Sequence, residues 1–265
     1  MLSALLALLG LLLGSFVGVV AARGPAVWGL VEAGPASEGF VTGRSVCAAC
    51  GVRLAWFDLV PLLSFAALRG RCRRCGAPIP RRDLAVEASG GLIGLLCALA
   101  FLPNVAAALA AMAFLLLLLG AAAIDAETGF LPDAMVLPAL WGALLTSIAG
   151  LSSAPPGAAI LGAAMGYGAL RIVADGYALL RRREGLGRGD AKLLAAAGAW
   201  LGPLALPFVL LTASLAGLLA VALRPGRPQG DDALRFGPYL AAGTALLVLI
   251  DGVLPGRVVP AWPGP

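Results

Sequence analysis

Residues 104–125 read NVAAALAAMAFLLLLLGAAAID, an apolar run that ends on an aspartate. The run is long enough to cross the hydrocarbon core of a bilayer, which takes about 20 apolar residues in a helix. An ionisable side chain at the boundary of such a helix costs free energy, so it is a functional hypothesis in its own right. Asp125 is therefore the first candidate site residue.

The whole chain shares this apolar character. Its 265 residues are 60% hydrophobic and only 12% charged, a composition that indicates an all-helical, polytopic membrane protein rather than a soluble domain. We expect the sixth and seventh helices to be the halves of one broken helix, because the sixth is too short to span alone. The apolar runs predict about eight helices, at residues 2–22, 84–102, 104–124, 134–150, 157–179, 191–202, 204–223 and 237–254.

The basic residues predict how these helices are oriented. Nine arginines fall within residues 23–83, and arginine and lysine concentrate on cytoplasmic loops. With eight helices and the N-terminus outside, every basic cluster faces the cytoplasm, and only Arg257 lies outside. This pattern favours membrane topology over nucleic-acid binding as the reason for the net charge of +5. The later clusters contain Arg171, Arg181, Arg182, Arg183, Arg188 and Lys192, and then Arg224, Arg227 and Arg235.

A second aspartate, Asp190, closes the sequence Gly187-Arg188-Gly189-Asp190. In the expected topology the loops 125–133 and 180–190 open on the same side, so Asp125 and Asp190 share one membrane face. Two carboxyl groups brought together can share a proton and activate water, as in aspartic proteases. The structural alternatives are a first-turn helix aspartate for Asp190 and an interfacial polar residue for Asp125.

The absence of histidine narrows the chemistry further. A chain with none has no Ser-His or Cys-His pair and no HExxH metalloprotease site. Other acids are weaker candidates: Asp133 as a helix cap, Glu127 as a second acid or a contact for a basic substrate segment, Asp175 as a packing or ion-pair residue, Asp231 and Asp232 as solvated loop residues, and Asp251 near the opposite membrane face.

Four cysteines form two CxxC pairs in the basic segment. Cys47 and Cys50 precede Cys72 and Cys75 by a spacing that is similar to a four-cysteine zinc ribbon. A cytoplasmic loop keeps its thiols reduced, and a metal would supply folding free energy to a segment with little core. We expect structural zinc here. A redox CxxC and a metal-free loop are the alternatives, and Cys97 is a packed apolar residue.

In this order the motifs resemble those of the type IV prepilin peptidases, bifunctional GxGD aspartyl proteases that also N-methylate their product. The resemblance covers nearly the whole chain. Gly18, Leu59 and Asp83-Leu84 depart from the family pattern. The matching segments are 14–23 around Gly14-Ser15-Phe16, 44–50, 58–65, 68–76, Glu87, 125–133, 187–193, 198–202 and 236–240.

The resemblance implies that Asp125 and Asp190 cleave the leader of a prepilin or pseudopilin at the cytoplasmic face of the bacterial inner membrane. It also implies methyl transfer from S-adenosylmethionine to the new N-terminus, for a type IV pilus or a type II secretion system. The implied domains are a first transmembrane helix at 1–22, a cytoplasmic cysteine-containing domain of methyltransferase type with zinc at 23–83, a transmembrane aspartyl peptidase domain at 84–254 and a tail at 255–265.

Three other functions compete with this interpretation. A presenilin-type protease also uses GxGD, but it expects Tyr where Ile124 stands, and Pro138-Ala139-Leu140 falls between the two aspartates. An ion-coupled transporter would place its carboxylates near the membrane midplane. A non-enzymatic assembly factor with a zinc site would need neither aspartate.

Overall fold

A computed structural model of the chain describes residues 1–31, 45–47, 49–182, 187–223 and 235–256. Arg44, Arg183, Arg224, Arg227, Arg257, Asp231 and Asp232 lie outside these residues. In the described ranges the chain is helical, and its only β pairing consists of two isolated bridges. The prediction of an all-α chain is confirmed. The helices are α1 (Leu2–Val27), α2 (Leu63–Ala67), α3 (Arg81–Phe101), α4 (Val105–Thr128), α5 (Asp133–Ile148), α6 (Pro156–Arg181), α7 (Arg188–Leu201), α8 (Leu206–Ala222) and α9 (Gly237–Val253).

Five segments of the described chain are long and apolar enough to cross a membrane: α1, α3, α4, α6 and the segment Pro203–Ala222 that contains α8. Two more helices, α5 and α9, are apolar but shorter. The chain divides into two compact units, residues 1–98 and 99–265. The first holds α1, the cysteine loop and most of α3, and the second holds the remaining helices.

Helix α7 lies at the centre of the second unit. It packs against α5, α6, α8 and α9, and the Trp200 ring stacks on Phe114 of α4 with 4.7 Å between ring centroids. Every residue from Leu193 to Leu201 is buried. The helix ends before Gly202, whose φ of 85° is left-handed, and the chain resumes as a 3₁₀ turn and then α8. The expected break between the sixth and seventh helices is therefore present.

The contact between α6 and α7 depends on two facing glycines. A Cβ atom built on Gly162 would lie 2.2 Å from the carbonyl oxygen of Gly198, and the reverse distance is also 2.2 Å. Small residues let transmembrane helices approach this closely. Because the obstacle is backbone rather than a flexible side chain, neither position has room for a methyl group.

We expect Gly162→Ala to lower the free energy of unfolding by about 1–3 kcal/mol, the usual cost of overpacking. The matched control is Gly168→Ala in the same helix, where an added Cβ meets nothing within 4 Å; there the better helix propensity of alanine leaves stability equal or slightly higher. Thermal unfolding of both variants in detergent measures the difference. Equal melting temperatures would show that the close α6–α7 contact is not needed.

Helix α4 is longer than the sequence predicts. It runs to Thr128 rather than to residue 124, so Asp125 lies inside its last turn and not in the following loop. The Thr128 hydroxyl donates to the Ile124 carbonyl, and the N–H of Gly129 donates to the Asp125 carbonyl. The helix ends at Gly129 because its φ of 73° is left-handed.

Candidate active site and metal site

Four helix ends meet at one end of the second unit. The last turn of α4 carries Asp125, and the first turns of α5, α7 and α9 carry Asp133, Asp190 and Gly237. The helices pack in the pairs α4–α5, α4–α9, α5–α7 and α7–α9. Residues that are far apart in sequence therefore converge on one small region.

The two candidate aspartates are buried there. Only 5% of Asp125 and 7% of Asp190 is exposed, and the helices that carry them, α4 and α7, both pack against α5 and α9. In the described residues, the buried Oδ2 atom of Asp125 accepts no hydrogen bond. A buried carboxylate oxygen without a protein hydrogen-bond donor is costly, so its position calls for a functional explanation.

Gly237 forms one wall of this site. A Cβ atom built on Gly237 would lie 2.6 Å from Oδ2 of Asp125 and 3.1 Å from Cδ1 of Leu131. Leu131 also packs against Gly189: a Cβ atom built on Gly189 would lie 2.5 Å from the Cβ of Leu131. The Leu131 side chain thus lies between the first turns of α7 and α9, and the two glycines leave the space that it fills. The Asp190 carboxylate lies beside Gly187, the N-cap residue of α7, where a built Cβ atom would be 3.3 Å from Oδ2 of Asp190.

Two cationic side chains hold the ends of these helices together. Lys192 of α7 contacts Asp133 of α5, with 2.6 Å between Nζ and Oδ1. Arg235, two residues before α9, donates to the carbonyl oxygen of Ala126, and its charge acts on Asp125. Asp133 therefore serves an ion pair rather than a side-chain cap, since the N-cap Pro132 begins its helix without one.

The cysteine loop in the first unit contains two copies of one turn. In the first copy Cys47 N–H donates to Val52, Gly51 N–H donates to Cys47, and Val46 pairs with Arg53. The second copy repeats these bonds 25 residues later, in the order Cys72 to Ala77, Gly76 to Cys72, and Arg71 with Pro78. Gly51 and Gly76 have φ values of 67° and 71°, which turn the chain after each CxxC pair.

The four sulfur atoms form a compact cluster. The Sγ atoms of Cys47, Cys50, Cys72 and Cys75 all lie within 4.8 Å of one another, and those of Cys47 and Cys75 are 3.8 Å apart. Tetrahedral zinc with Zn–S bonds of about 2.3 Å requires sulfur–sulfur distances of about 3.8 Å. The residues therefore fit a metal of this geometry.

The four thiols of the cluster influence one another and are influenced by nearby backbone N–H groups. Backbone N–H groups of Cys50 and Ala49 lower the pKa of the Cys47 thiol to about 6. The N–H of Ala77 acts in the same direction on Cys75, but the neighbouring thiols raise the pKa of Cys75 to about 11. A metal that takes four thiolates must displace the protons that these sulfurs share.

Comparison with known proteins identifies the family. The model of the bacterial peptidase A24 N-terminal domain matches residues 8–101, and that of the type IV leader peptidase family matches residues 112–222. A prepilin leader peptidase/N-methyltransferase of Burkholderia pseudomallei (strain K96243) is 43% identical over 254 residues, which cover 89% of this chain and 82% of that protein. The chain belongs to the type IV leader peptidase family.

Other relatives agree with this assignment. The protein of the same name from Dickeya chrysanthemi is 41% identical over 93% of this chain and 92% of its own length. That of Klebsiella pneumoniae is 42% identical over 77% of this chain and 87% of its own length. No solved structure matches the chain significantly. The suspected family is confirmed, and the presenilin-type and transporter alternatives are not favoured.

The sequence pointed to the candidate acidic residues of this family member, but it did not predict the residues that pack around them. Asp175 forms an ion pair with Arg171 of the same helix, as the sequence suggested. Asp251 is buried at the far end of α9 from Gly237, 14 residues or about 21 Å along the axis. The sequence did not predict the roles of three residues: Leu131 and Gly237, which pack beside the aspartates, and Arg235, which binds the end of α4. Each acts through a tertiary contact that no local motif encodes.

Proposed function

We propose that Asp125 and Asp190 form the catalytic dyad of a prepilin leader peptidase that also N-methylates its product. The observation that carries the proposal is that two buried aspartates, Asp125 in the last turn of α4 and Asp190 in the first turn of α7, converge at one end of the helix bundle. A histidine-free chain needs its proton transfers from such groups. Membership of the leader peptidase family supplies the reaction class.

The proposed cleavage uses the two carboxyl groups in complementary states. Two acids that share one proton present one carboxylate and one carboxylic acid. The carboxylate takes a proton from water as the water attacks the scissile carbonyl, while the acid donates its proton to the carbonyl oxygen. Proton transfer to the nitrogen then releases the leader and leaves a free α-amine on the mature pilin or pseudopilin.

The second activity uses that new amine. S-adenosylmethionine, when bound, supplies a methyl group to the nitrogen, which loses a proton. We assign this activity to the cysteine-containing first unit, because the family resemblance ties the cysteine-bearing loop to methyl transfer and residues 8–101 match the N-terminal domain of the family. In this unit, the same backbone hydrogen bonds form in both CxxC turns.

The metal in the cysteine cluster is, in our proposal, zinc with a structural role. Four thiolates complete the coordination shell of tetrahedral zinc, so no position remains for a substrate. Cys47, Cys50, Cys72 and Cys75 would hold it and join the two turns. The segment between them is short, and metal closure would supply much of its folding free energy.

We place the enzyme in the bacterial inner membrane with the dyad facing the cytoplasm. The support is the positive-inside distribution of arginine and lysine. Among the described residues, Arg235, Arg188 and Lys192 all belong to the end of the second unit that carries the aspartates. The lipid bilayer and the prepilin are thus the expected partners.

Co-expression with a candidate prepilin tests both activities at once. Mass spectrometry of the mature N-terminus is expected to show loss of the leader and addition of one methyl group. An uncleaved prepilin in the presence of folded enzyme would contradict the peptidase, and a cleaved but unmethylated product would contradict the methyltransferase.

We expect Gly237→Ala to reduce cleavage while leaving the fold intact. The new methyl group would push Asp125 Oδ2 from its position, and a misplacement of about 1 Å in catalytic geometry can cost on the order of 100-fold in rate. The control is Gly142→Ala in α5, where an added Cβ meets nothing within 4 Å. Cleavage rates in detergent or nanodiscs, with melting curves, distinguish the variants. Wild-type turnover in Gly237→Ala would contradict the close packing of Gly237 on the dyad.

A further inference from the structure

The cysteine loop carries an exposed apolar surface that neither proposed activity uses. Trp56 is 78% exposed and Leu63 is 70% exposed, and Phe57 and Leu59 are also exposed. We call these four residues the aromatic face. They occupy a 3₁₀ turn at Trp56–Leu59 and the start of α2. Exposed apolar clusters of this kind mark binding surfaces.

The aromatic face is held in its outward position by contacts within the loop. Asp58 accepts a hydrogen bond from Ala55 N–H at 3.3 Å and two from Arg73, at 3.0 Å from Nε and 2.9 Å from Nη2. The Arg73 guanidinium also lies 5.0 Å from the centroid of the Phe57 ring, and Trp56 meets Phe57 edge to face. These contacts connect the aromatic turn to the second CxxC turn, which carries Arg73.

A second set of contacts places this surface beside the membrane-spanning helices of the same unit. The backbone N–H of Leu62 donates to Oε2 of Glu87 at 3.0 Å, and the Ser15 hydroxyl of α1 donates to Oε1 at 2.8 Å. Glu87 lies six residues into α3, or about 9 Å along its axis. Leu62 adopts a φ of 58° to make this contact. The adjoining Leu63 therefore lies beside the first two turns of α3, at the N-terminal end of a helix that is long and apolar enough to span a membrane.

The charge of the loop indicates which surface it meets. Between residues 45 and 83 there are seven arginines and two aspartates, and one of these aspartates is paired with Arg73. Even four thiolates with one zinc ion, a net charge of −2, would leave the segment positive. Tryptophan beside arginine is the combination found where proteins contact the headgroups of anionic lipids.

We propose that the aromatic face inserts into the headgroup region of an anionic bilayer, so that the cysteine loop lies on the membrane instead of extending into solvent. The occupant of the face is lipid, continuous with the lipid around α1 and α3, on which Leu12, Phe16, Leu92 and Leu95 are also exposed. The proposal requires no catalytic activity, so it can fail while the proposed function holds.

The test uses the full chain in nanodiscs and the fluorescence of Trp56. The Trp56 signal is the difference between the wild-type protein and Trp56→Phe. Phosphatidylglycerol with brominated acyl chains is expected to quench at least half of it, and aqueous iodide is expected to quench little. Trp141→Phe supplies a reference, because Trp141 is 62% exposed on the apolar helix α5 and should respond to brominated lipid.

Three results would overturn the proposal. The first is a Trp56 signal that iodide quenches and brominated lipid does not. The second is equal quenching by brominated phosphatidylglycerol and brominated phosphatidylcholine, which would remove the role of anionic headgroups. The third is a Trp56 signal that becomes protected from iodide only when prepilin is added, which would make the face a substrate surface.

Discussion

Asp125→Asn and Asp190→Asn are each expected to abolish prepilin cleavage, with rates at least about 1,000-fold below wild type, because an amide can neither take a proton from water nor return one. Both aspartates are buried, and asparagine preserves their size, so the fold should remain. The measurement is cleavage of purified prepilin by each variant in nanodiscs, followed by mass spectrometry. Retained turnover in either variant would remove that residue from the chemistry.

Two other aspartates provide matched controls. Asp133 lies at the same end of the bundle but is solvent-accessible and paired with Lys192, and Asp251 is buried at the far end of α9. Asp133→Asn and Asp251→Asn should both keep cleaving. The dyad variants should also still methylate a mature pilin that carries a free α-amine. Loss of that activity as well would indicate general unfolding instead of a lost proton transfer.

The second large effect concerns the cysteine cluster. Cys72→Ser with Cys75→Ser removes two of the four sulfurs that lie within 4.8 Å of one another. We expect the zinc content to fall from about one ion per chain to near zero, since structural zinc prefers four ligands. Methyl transfer should be lost with it, because apparent zinc-binding free energies of about 10–16 kcal/mol contribute directly to folding in small metal domains.

Cys97→Ala is the control for this experiment. Cys97 is fully buried in α3 and belongs to no sulfur cluster of the described chain. This variant should keep its zinc and both activities. Elemental analysis of the purified proteins measures the metal, and mass spectrometry of the product measures methylation. A wild-type protein that is folded and methylates without zinc would contradict the structural site.

The sequence predicted helix positions well because each apolar run is bounded by proline, glycine or charge. The broken helix at Gly202-Pro203 and the clustering of four cysteines also followed from local patterns. The length of α4 did not, because the Thr128 hydroxyl and Gly129 extend it by one turn. The contacts of Leu131 with Gly189 and Gly237 could not be predicted from local patterns either, because they join three segments that are distant in sequence.

The repeated turn of the cysteine loop was visible only in part. The CxxC pairs, each followed by a glycine, are evident from the sequence, but the shared hydrogen-bond pattern and the left-handed conformation of Gly51 and Gly76 become clear only from the structure. Apart from the cysteines and the glycine, the residues of the two turns differ.

The enclosure of α7 determines how a small inhibitor could reach this enzyme. Asp190 lies on a helix whose apolar length is covered by its neighbours, so a compound dissolved in the lipid has no direct route along it. At the polar end of the bundle, Leu131 covers the glycines beside both acids. A compound that displaces the Leu131 side chain would gain an apolar pocket within reach of the two carboxyl groups.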